Sequence, residues 1–199
     1  MFQKANKVTE NGLIAFQGMC VGLGDKIDLT EIGRYLKAAL QSQEDDCAKS
    51  ACGIISDLSN SMGEGLNEYL DDFVPCLHDI LKSNQIDRKI KLPAIHALGS
   101  LSLNSGDYFN LTYLNDTMVI INMAAEMATS RISDFADDLD TLEFLKELRD
   151  EILEQYSTIL ITVEDSENAI LKQNFSRNIG VMCEFIKQTL FIDGYKNLK

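Results

Sequence analysis

The chain has 199 residues, of which 45% are hydrophobic and 25% are charged, as in ordinary globular proteins. Its formal net charge of −13 argues against a nucleic-acid-binding surface, which needs a basic stripe, and favours a basic partner. The most apolar run, residues 117–125, is too short to span a bilayer and the N-terminal segment has no signal-peptide core, so we expect no nucleic acid and no membrane as partner.

The first predicted element is a helical hairpin. Its two segments read NGLIAFQGMCVGLG, residues 11–24, and LTEIGRYLKAALQS, residues 29–42. In the second segment Ile32, Leu36 and Ala39 recur at spacings of three and four, which is the period of one helix face. The glycine-rich end of the first segment lacks the lysine and the spacing of a phosphate loop, so it predicts a turn between the helices.

A second hairpin follows with the same layout. Its segments read KSACGIISDLSNSMG, residues 49–63, and NEYLDDFVPCLHDIL, residues 67–81. Leu70, Phe73 and Leu77 form one apolar stripe of the second helix. The Ser/Asn/Gly cluster that ends the first segment predicts a turn.

The third hairpin repeats the second. Its segments are LPAIHALGSLSLNSG, residues 92–106, and LTYLNDTMVIINMAA, residues 111–125, and Tyr-Leu-Asp-Asp at 69–72 returns as Tyr-Leu-Asn-Asp 44 residues later. Gly53 and Gly99 lie in the middle of the two first helices. A glycine inside a helix costs about 1 kcal/mol relative to alanine, so the pair predicts a close approach of neighbouring helices at one shared register.

The fourth hairpin is longer and more diverged, with helices predicted over residues 140–163 and about 168–190. A period of about 41–46 residues belongs to HEAT or armadillo arrays and exceeds the 34 residues of tetratricopeptide repeats. We therefore predict an all-α fold, a right-handed α-solenoid of about four HEAT repeats built from antiparallel helix pairs, with a single helical bundle as the alternative. The array is one domain over residues 1–199, with units at about 5–42, 44–83, 85–128 and 139–190 and a linker at 129–138.

Four stretches resemble, in this order along the chain, the C-terminal third of the importin-β (karyopherin-β) nuclear import receptors. They are ACGIISDL (51–58), RKIKLPAIHALGSLS (88–102), YLNDTMVIINMAAE (113–126) and FLKELRDEILEQYSTIL (144–160). The chain departs from the family in having Gly99-Ser100 where Gly-Asp is usual, and in having no tryptophan for partner contact.

The resemblance implies a fragment of a nuclear import receptor that binds protein segments without catalysis and works in cytoplasm and nucleus. It implies importin-α, through its basic importin-β-binding segment, or a basic cargo segment as partner, and nucleoporin Phe-Gly repeats as a further mode. It also implies that the family's Ran-binding repeats are not in this chain. The alternative function is a generic HEAT scaffold subunit of another complex, of the phosphatase or translation-factor type.

The candidate partner-binding residues form a predicted acidic ladder, which we define as Glu31, Asp72, Asp116, Glu68 and Asp79. With Leu70 at the centre of the buried stripe and 100° per residue, Glu68, Asp72 and Asp79 fall on the opposite face. Asp116 and Glu31 take the place of Asp72 in the neighbouring units. The ladder would face a basic partner; the alternative is that these acids, like the nine in residues 134–154, only solvate helix faces.

Signals for an enzyme are poor, and a small helical hydrolase is the third hypothesis. His78 and His96 are the only histidines and fit no metal-ligand or catalytic pattern, so we expect no catalytic residue, no metal and no cofactor. Five cysteines without a CxxC pattern suggest small buried residues in a reducing compartment, and only Cys47 lies outside an apolar segment.

We also expect the ends of the array to be sticky. A solenoid that is cut through exposes apolar faces, here Leu13, Ile14 and Phe16, which favours self-association of the fragment.

Overall fold

The computed structural model describes residues 11–19, 22, 26, 28–42, 44–130, 132–135 and 137–194, with positions 31, 133, 193 and 194 in backbone only. Each regular element in this part of the chain is an α-helix or a short 3-10 helix. The chain divides into two compact units, Met1–Phe109 and Asn110–Lys199. That boundary lies inside the third predicted hairpin, and the division into four repeats stays a prediction.

The first unit contains α1 (residues 11–19), α2 (Leu29–Leu40), α3 (Asp45–Met62), α4 (Leu70–Lys82) and α5 (Arg88–Asn104). The boundary between the units falls in α6 (Gly106–Thr112). The second unit contains α7 (Leu114–Ser130), α8 (Leu139–Asp165), α9 (Ala169–Phe175) and α10 (Ile179–Gly194). The 3-10 segments are Gly63–Tyr69, Ile132–Phe135 and Ser176–Asn178.

Side chains next to the predicted turns determine where several helices begin and end. Asp28 and Asp87 accept hydrogen bonds from the backbone N–H groups two residues on, at 2.9 and 2.8 Å, and so cap α2 and α5. Asp138 caps α8 in the same way. Gly63 and Gly106 end α3 and α5 with φ of 55° and 58°, a conformation that side chains with a Cβ rarely adopt. The turn predicted at the end of segment 49–63 is therefore confirmed only at Gly63, because Ser59, Asn60 and Ser61 still belong to α3.

The helices α2 to α5 of the first unit form two layers, and the two helices of each layer run parallel. The first helices of the hairpins, α3 and α5, pack along each other, and the second helices, α2 and α4, pack on the other side. The predicted stripe of α4 is confirmed, because Leu70, Phe73 and Leu77 are completely buried. These apolar contacts give the hairpins their stability, since one hairpin alone cannot cover both of its apolar faces.

A ladder of polar side chains joins α3 to α5 and shows which residues of the two helices are paired. The Ser56 and Ser100 hydroxyls hydrogen-bond at 2.7 Å, and Asn104 donates to the Asn60 side-chain oxygen at 2.9 Å. Each pair is separated by 44 residues, the same shift that relates the two Tyr-Leu motifs. Equivalent residues of two successive hairpins are therefore direct neighbours.

The predicted shared register of Gly53 and Gly99 is two residues off, because a shift of 44 places Ala97 opposite Gly53. The close approach at Gly53 is real but has another cause. A Cβ at Gly53 would lie 3.3 Å from the Gln17 side-chain nitrogen, which donates to Asp57 at 2.8 Å. The glycine leaves room for a side chain of α1.

In the second unit α7 packs against both α8 and α10. The buried Tyr156 hydroxyl of α8 donates to the Asn122 oxygen at 2.6 Å, and the Asn122 nitrogen donates to the Asn178 oxygen at 3.1 Å. Burial raises the pKa of Tyr156, which keeps it a proton donor. Arg149, also buried, donates to the carbonyl of Ala128 in the last turn of α7, where a cation is favourable.

The fourth hairpin differs from the prediction in its second half. The sequence predicts one helix over residues 168–190, whereas α9 and α10 are separated by the 3-10 segment Ser176–Asn178. Asn178 donates to the Phe175 carbonyl at 3.3 Å and accepts from Asn122. A side chain that hydrogen-bonds to nearby backbone competes with the backbone hydrogen bonds of a helix. Here the hydrogen bond from Asn122 of α7 holds the Asn178 side chain in that position.

The cysteines and the apolar end residues only partly follow the predictions. Cys47 is buried although it lies outside an apolar segment, whereas Cys183 is exposed, contrary to the expectation. Burial raises the pKa of Cys52 to about 12, so it remains a protonated thiol. Of the three residues expected at the exposed N-terminal end, Ile14 is exposed, Phe16 is half-buried and Leu13 is buried. Among the described residues no helix is long and apolar enough to cross a membrane.

Candidate partner-binding surface

The exposed face of α4 carries the acids that the helical wheel places there. Asp72 and Asp79 are exposed, while Phe73, Leu77 and Ile80 are buried, so the predicted polarity of this helix is confirmed. Lys82 in the last turn follows the pattern of basic residues at helix C-termini.

Asp72 carries a partner that the sequence did not reveal. The Lys37 ammonium of α2 lies 2.5 Å from the Asp72 carboxylate, and this ion pair raises the pKa of Lys37. The two residues are 35 positions apart in sequence, and only the packing of α2 on α4 brings them together. The charge of Asp72 is therefore partly balanced within the first unit.

Glu68 and Glu31, the other two ladder residues of the first unit, do not lie on α4. Glu68 is exposed but belongs to the 3-10 segment Gly63–Tyr69, so the α-helical wheel does not apply to it. Glu31 lies in the first turns of α2, and its side chain is outside the described residues. Tyr69 stacks on Phe73 with ring centroids 6.1 Å apart, and a Cβ at Gly33 would lie 3.1 Å from its ring. Gly33 thus lets α2 approach the start of α4.

Asp79 borders a groove of about 530 Å³ at the carboxyl ends of α2 and α4. Asp45 and Cys76 also line it. Burial raises the pKa of the Cys76 thiol, which donates to the Asp72 carbonyl at 3.3 Å. The polar character of this groove therefore comes from carboxylates and amides rather than from a reactive thiolate.

On α7 the predicted acid is present, but the rest of the exposed face is different. Asp116 is exposed in the first turn. Further along the helix, Val119, Met123 and Met127 are 57%, 66% and 42% exposed and follow one another at intervals of four residues. We call these three residues the α7 apolar stripe. The sequence does not reveal this stripe, because apolar residues at helical spacing have the same pattern in a core and on an exposed face.

Asp72 and Asp116 belong to different compact units. The exposure of each is established, but the continuous acidic ladder through Glu31, Asp72 and Asp116 stays a prediction. The second acidic block is also exposed for the most part, although its one arginine, Arg149, is buried beneath it.

The two histidines occupy contrasting positions: His78 is buried in α4, and His96 is exposed on α5. Within the described ranges no group of His, Cys, Asp and Glu side chains could hold a metal ion.

Comparison with known proteins decides the family. A family model described as importin subunit beta-1-like, TPR repeats, matches residues 2–192. The chain belongs to this importin-β-like family. α3 begins at residue 45 and α5 at residue 88, so the interval in this member is longer than the 34 residues of a typical tetratricopeptide repeat. The family match decides against a phosphatase or translation-factor scaffold.

Curated relatives are importin subunit beta-1 proteins. The Arabidopsis thaliana protein is 28% identical over 174 residues, covering 85% of this chain and 19% of the relative. The Saccharomyces cerevisiae protein is 23% identical over 183 residues, covering 91% of this chain and 20% of the relative. The chain therefore spans about a fifth of the length of these importin-β proteins.

Solved structures confirm the fold. A Kap95p structure described with RanGDP matches 93% of this chain and 21% of the Kap95p chain, with a TM-score of 0.79 and 22% identity. A Kap95:Nup1 complex matches 88% of this chain and 19% of the other, with a TM-score of 0.75 and 24% identity. Yeast importin-β (Kap95p) matches with a TM-score of 0.75, 22% identity, and coverage of 90% and 20%. The all-α helical-repeat prediction is confirmed.

Proposed function

We propose that this chain is part of a nuclear import receptor and binds basic adaptor or cargo segments, of the importin-α importin-β-binding type, without catalysing a reaction. The observation that carries the proposal is the exposure of Asp72, Asp79 and Asp116 on the second helices of two successive hairpins. In such a receptor the protein works in both cytoplasm and nucleus.

The electrostatics of the whole chain support this proposal. A net charge of −13 attracts a basic segment from a distance, speeds its encounter and makes the association sensitive to salt. A basic segment that folds on binding also gains more from an extended row of carboxylates than from one contact, because its charges are spread along its length.

The test is a titration of the whole chain with an Arg/Lys-rich peptide at two salt concentrations, followed by anisotropy. We expect binding at low salt that weakens steeply as salt rises. The triple variant Glu31→Lys, Asp72→Lys and Asp116→Lys should abolish binding while the helical circular-dichroism signal is retained. Binding that does not respond to salt, or a triple variant that binds normally, would reduce the acidic ladder to a solvated face.

A matched control separates the site from the overall charge. Glu164, Asp165 and Glu167 are exposed and lie outside the predicted ladder, at the end of α8 and just after it. Their reversal to lysine changes the net charge by the same amount. We expect this control to retain most of the affinity, because steering alone depends on total charge whereas docking depends on position.

Nucleoporin binding is a second candidate. The likeness to the Kap95:Nup1 complex supports it, and so does the solvent-exposed apolar surface of the second unit. A Phe-Gly peptide should then bind with little dependence on salt, since its contacts are apolar. Loss of affinity at moderate salt would contradict this mode.

A further inference from the structure

A groove of about 790 Å³ runs between α7 and α10 in the second unit. Two members of the α7 apolar stripe, Val119 and Met123, form one wall, and Val181 of α10 forms part of the other. Val181 is 47% exposed, so large apolar side chains on both helices face solvent here. Clustered exposed apolar side chains of this kind mark interaction sites more often than scattered ones.

The floor of the groove is already formed. Ala125 and Phe185 are buried beneath it, and Phe185 packs edge-on against Tyr156 with centroids 5.7 Å apart. Tyr156 in turn holds Asn122, another lining residue, through the 2.6 Å hydrogen bond. The part of the groove over Gly180 is open, because a Cβ there would meet nothing within 4 Å. An occupant therefore meets a prepared surface rather than a mobile one.

The spacing of the stripe suggests the shape of the occupant. Residues four apart on an α-helix are separated by about 6 Å along its axis. A second helix lying along α7 presents its own side chains at i and i+4 with the same interval, which is the helix-in-groove mode of recognition. Methionine adapts its unbranched side chain to such partners.

The rim gives the charge of the occupant. Glu126 and Glu184 line the groove, and none of its described lining residues is Lys or Arg. Glu184 has Lys187 of its own helix at 3.9 Å and accepts from Gln188 at 3.2 Å. Because Lys187 is a distant and largely exposed neighbour, the rim remains complementary to a cation.

We propose that the groove between α7 and α10 docks a helical segment of a partner protein that presents two large apolar side chains four residues apart, flanked by Lys or Arg. The basic flanks rest on the proposed function, whereas the apolar anchor is an additional determinant. It makes part of the affinity independent of salt, and it distinguishes this partner from a segment that is merely basic.

The experiment compares two synthetic helical peptides on the whole chain. Both carry the same Lys and Arg residues, and they have either two leucines or two serines at the anchor positions. We expect the leucine peptide to bind at least about 10- to 100-fold more tightly, the range that burial of only one of its two leucine side chains corresponds to. In methyl spectra of the methionines, Met123 should shift on binding, and Met62 of the first unit should not.

A groove-filling variant tests the location. Gly180→Phe adds a ring to a position that lines the groove and where the new Cβ meets nothing within 4 Å. Gly18→Phe is the matched control, because a Cβ at Gly18 of α1 also meets nothing within 4 Å and lies outside this groove. Gly180→Phe should remove the advantage of the leucine peptide, and Gly18→Phe should retain it.

The outcomes separate this inference from the proposed function. If both peptides bind equally, with strong salt dependence, the groove is not the anchor site and the proposed function stands. If neither peptide binds at low salt, both proposals fail. If a Phe-Gly peptide shifts Met123 as strongly as the leucine peptide does, the assigned occupant is wrong.

Discussion

The helices α4 and α7 occupy the same place in successive hairpins, and their exposed faces differ in part. At equivalent positions 44 residues apart, Leu70 and Leu114 are both buried, as are Leu77 and Ile121. On the outside Asp79 corresponds to Met123, since the same shift applies. These two buried positions have kept apolar side chains, whereas on the exposed face the acid is kept at Asp72 and Asp116 and is replaced by an apolar side chain at Met123.

The difference shows which positions a repeat constrains. A buried position must fill the space between stacked hairpins, so apolar residues recur at the two pairs above, although buried Thr117 takes the place of Phe73. An exposed position is under no such packing requirement. Asp72 and Asp116 agree although packing does not require it, which is why they remain the better candidates for a shared surface than Asp79.

The largest expected loss of stability comes from a substitution in the buried half of α4. Phe73→Ala in α4 should lower the free energy of unfolding by about 3–5 kcal/mol, because it empties a completely buried site. Asp79→Ala on the outer face of the same helix should stay within about 0.5 kcal/mol. Urea denaturation followed by circular dichroism measures both. Equal losses for the two variants would contradict the division into buried and exposed halves.

The polar ladder between α3 and α5 should give the next largest effect. Ser56→Ala or Ser100→Ala alone leaves a buried hydroxyl without this partner and should cost about 1–3 kcal/mol. The double variant should cost less than the sum of the two, because it removes both hydroxyls at once. A double-mutant cycle by denaturation measures the coupling, and strict additivity would show that the pair does not interact.

A smaller loss of stability is expected at the hydrogen bond between Tyr156 and Asn122 in the second unit. Tyr156→Phe removes the hydroxyl that donates to Asn122 but keeps the ring on Phe185. We expect a loss of about 0.5–1.5 kcal/mol, the net value of one hydrogen bond. Thermal unfolding of this variant beside the wild type measures it. An unchanged midpoint would mean that Asn122 is held by its other contacts alone.

The smallest expected effect is a change in the pKa of Lys37, which pairs with Asp72 on the acidic face of α4. Asp72 raises the pKa of Lys37, so Asp72→Asn should lower that pKa towards its ordinary value. Because the folded pKa lies above the unfolded one, the stabilising contribution is present below the ordinary lysine pKa and is lost as pH rises through the raised value. A side-chain NMR titration of Lys37 between pH 9 and 12 (about the range of a lysine) measures the shift, and identical titrations would contradict the ion pair.

Much of the fold follows from local pattern. The stripe at Leu70, Phe73 and Leu77 and the end of α3 at Gly63 were predictable, since helical periodicity and glycine at positive φ act within a few residues of sequence. The break between α9 and α10 was not, because it depends on Asn122, which lies 56 residues before Asn178. Periodicity cannot report a hydrogen bond from another helix.

The site was predictable to a smaller extent. Exposure of Asp72 and Asp116 follows from the helical wheel, but the partner Lys37 lies on another helix and carries no local signal. The α7 apolar stripe was missed for a related reason. Apolar spacing alone is the same for a core residue and a groove residue, and only the packed structure shows that Met123 remains exposed although α10 packs against α7.

The most direct test of the contrast between α4 and α7 exchanges one exposed residue of α4 with the corresponding residue of α7. The double variant Asp79→Met and Met123→Asp leaves the net charge unchanged and moves an acid from α4 to α7. We predict that the leucine-bearing basic peptide binds this variant about tenfold or more weakly, a difference of about 1.4 kcal/mol or more, while the thermal midpoint changes little. Unchanged affinity would contradict the account, because recognition would then depend on total charge and not on which helix face carries the acid and which the apolar stripe.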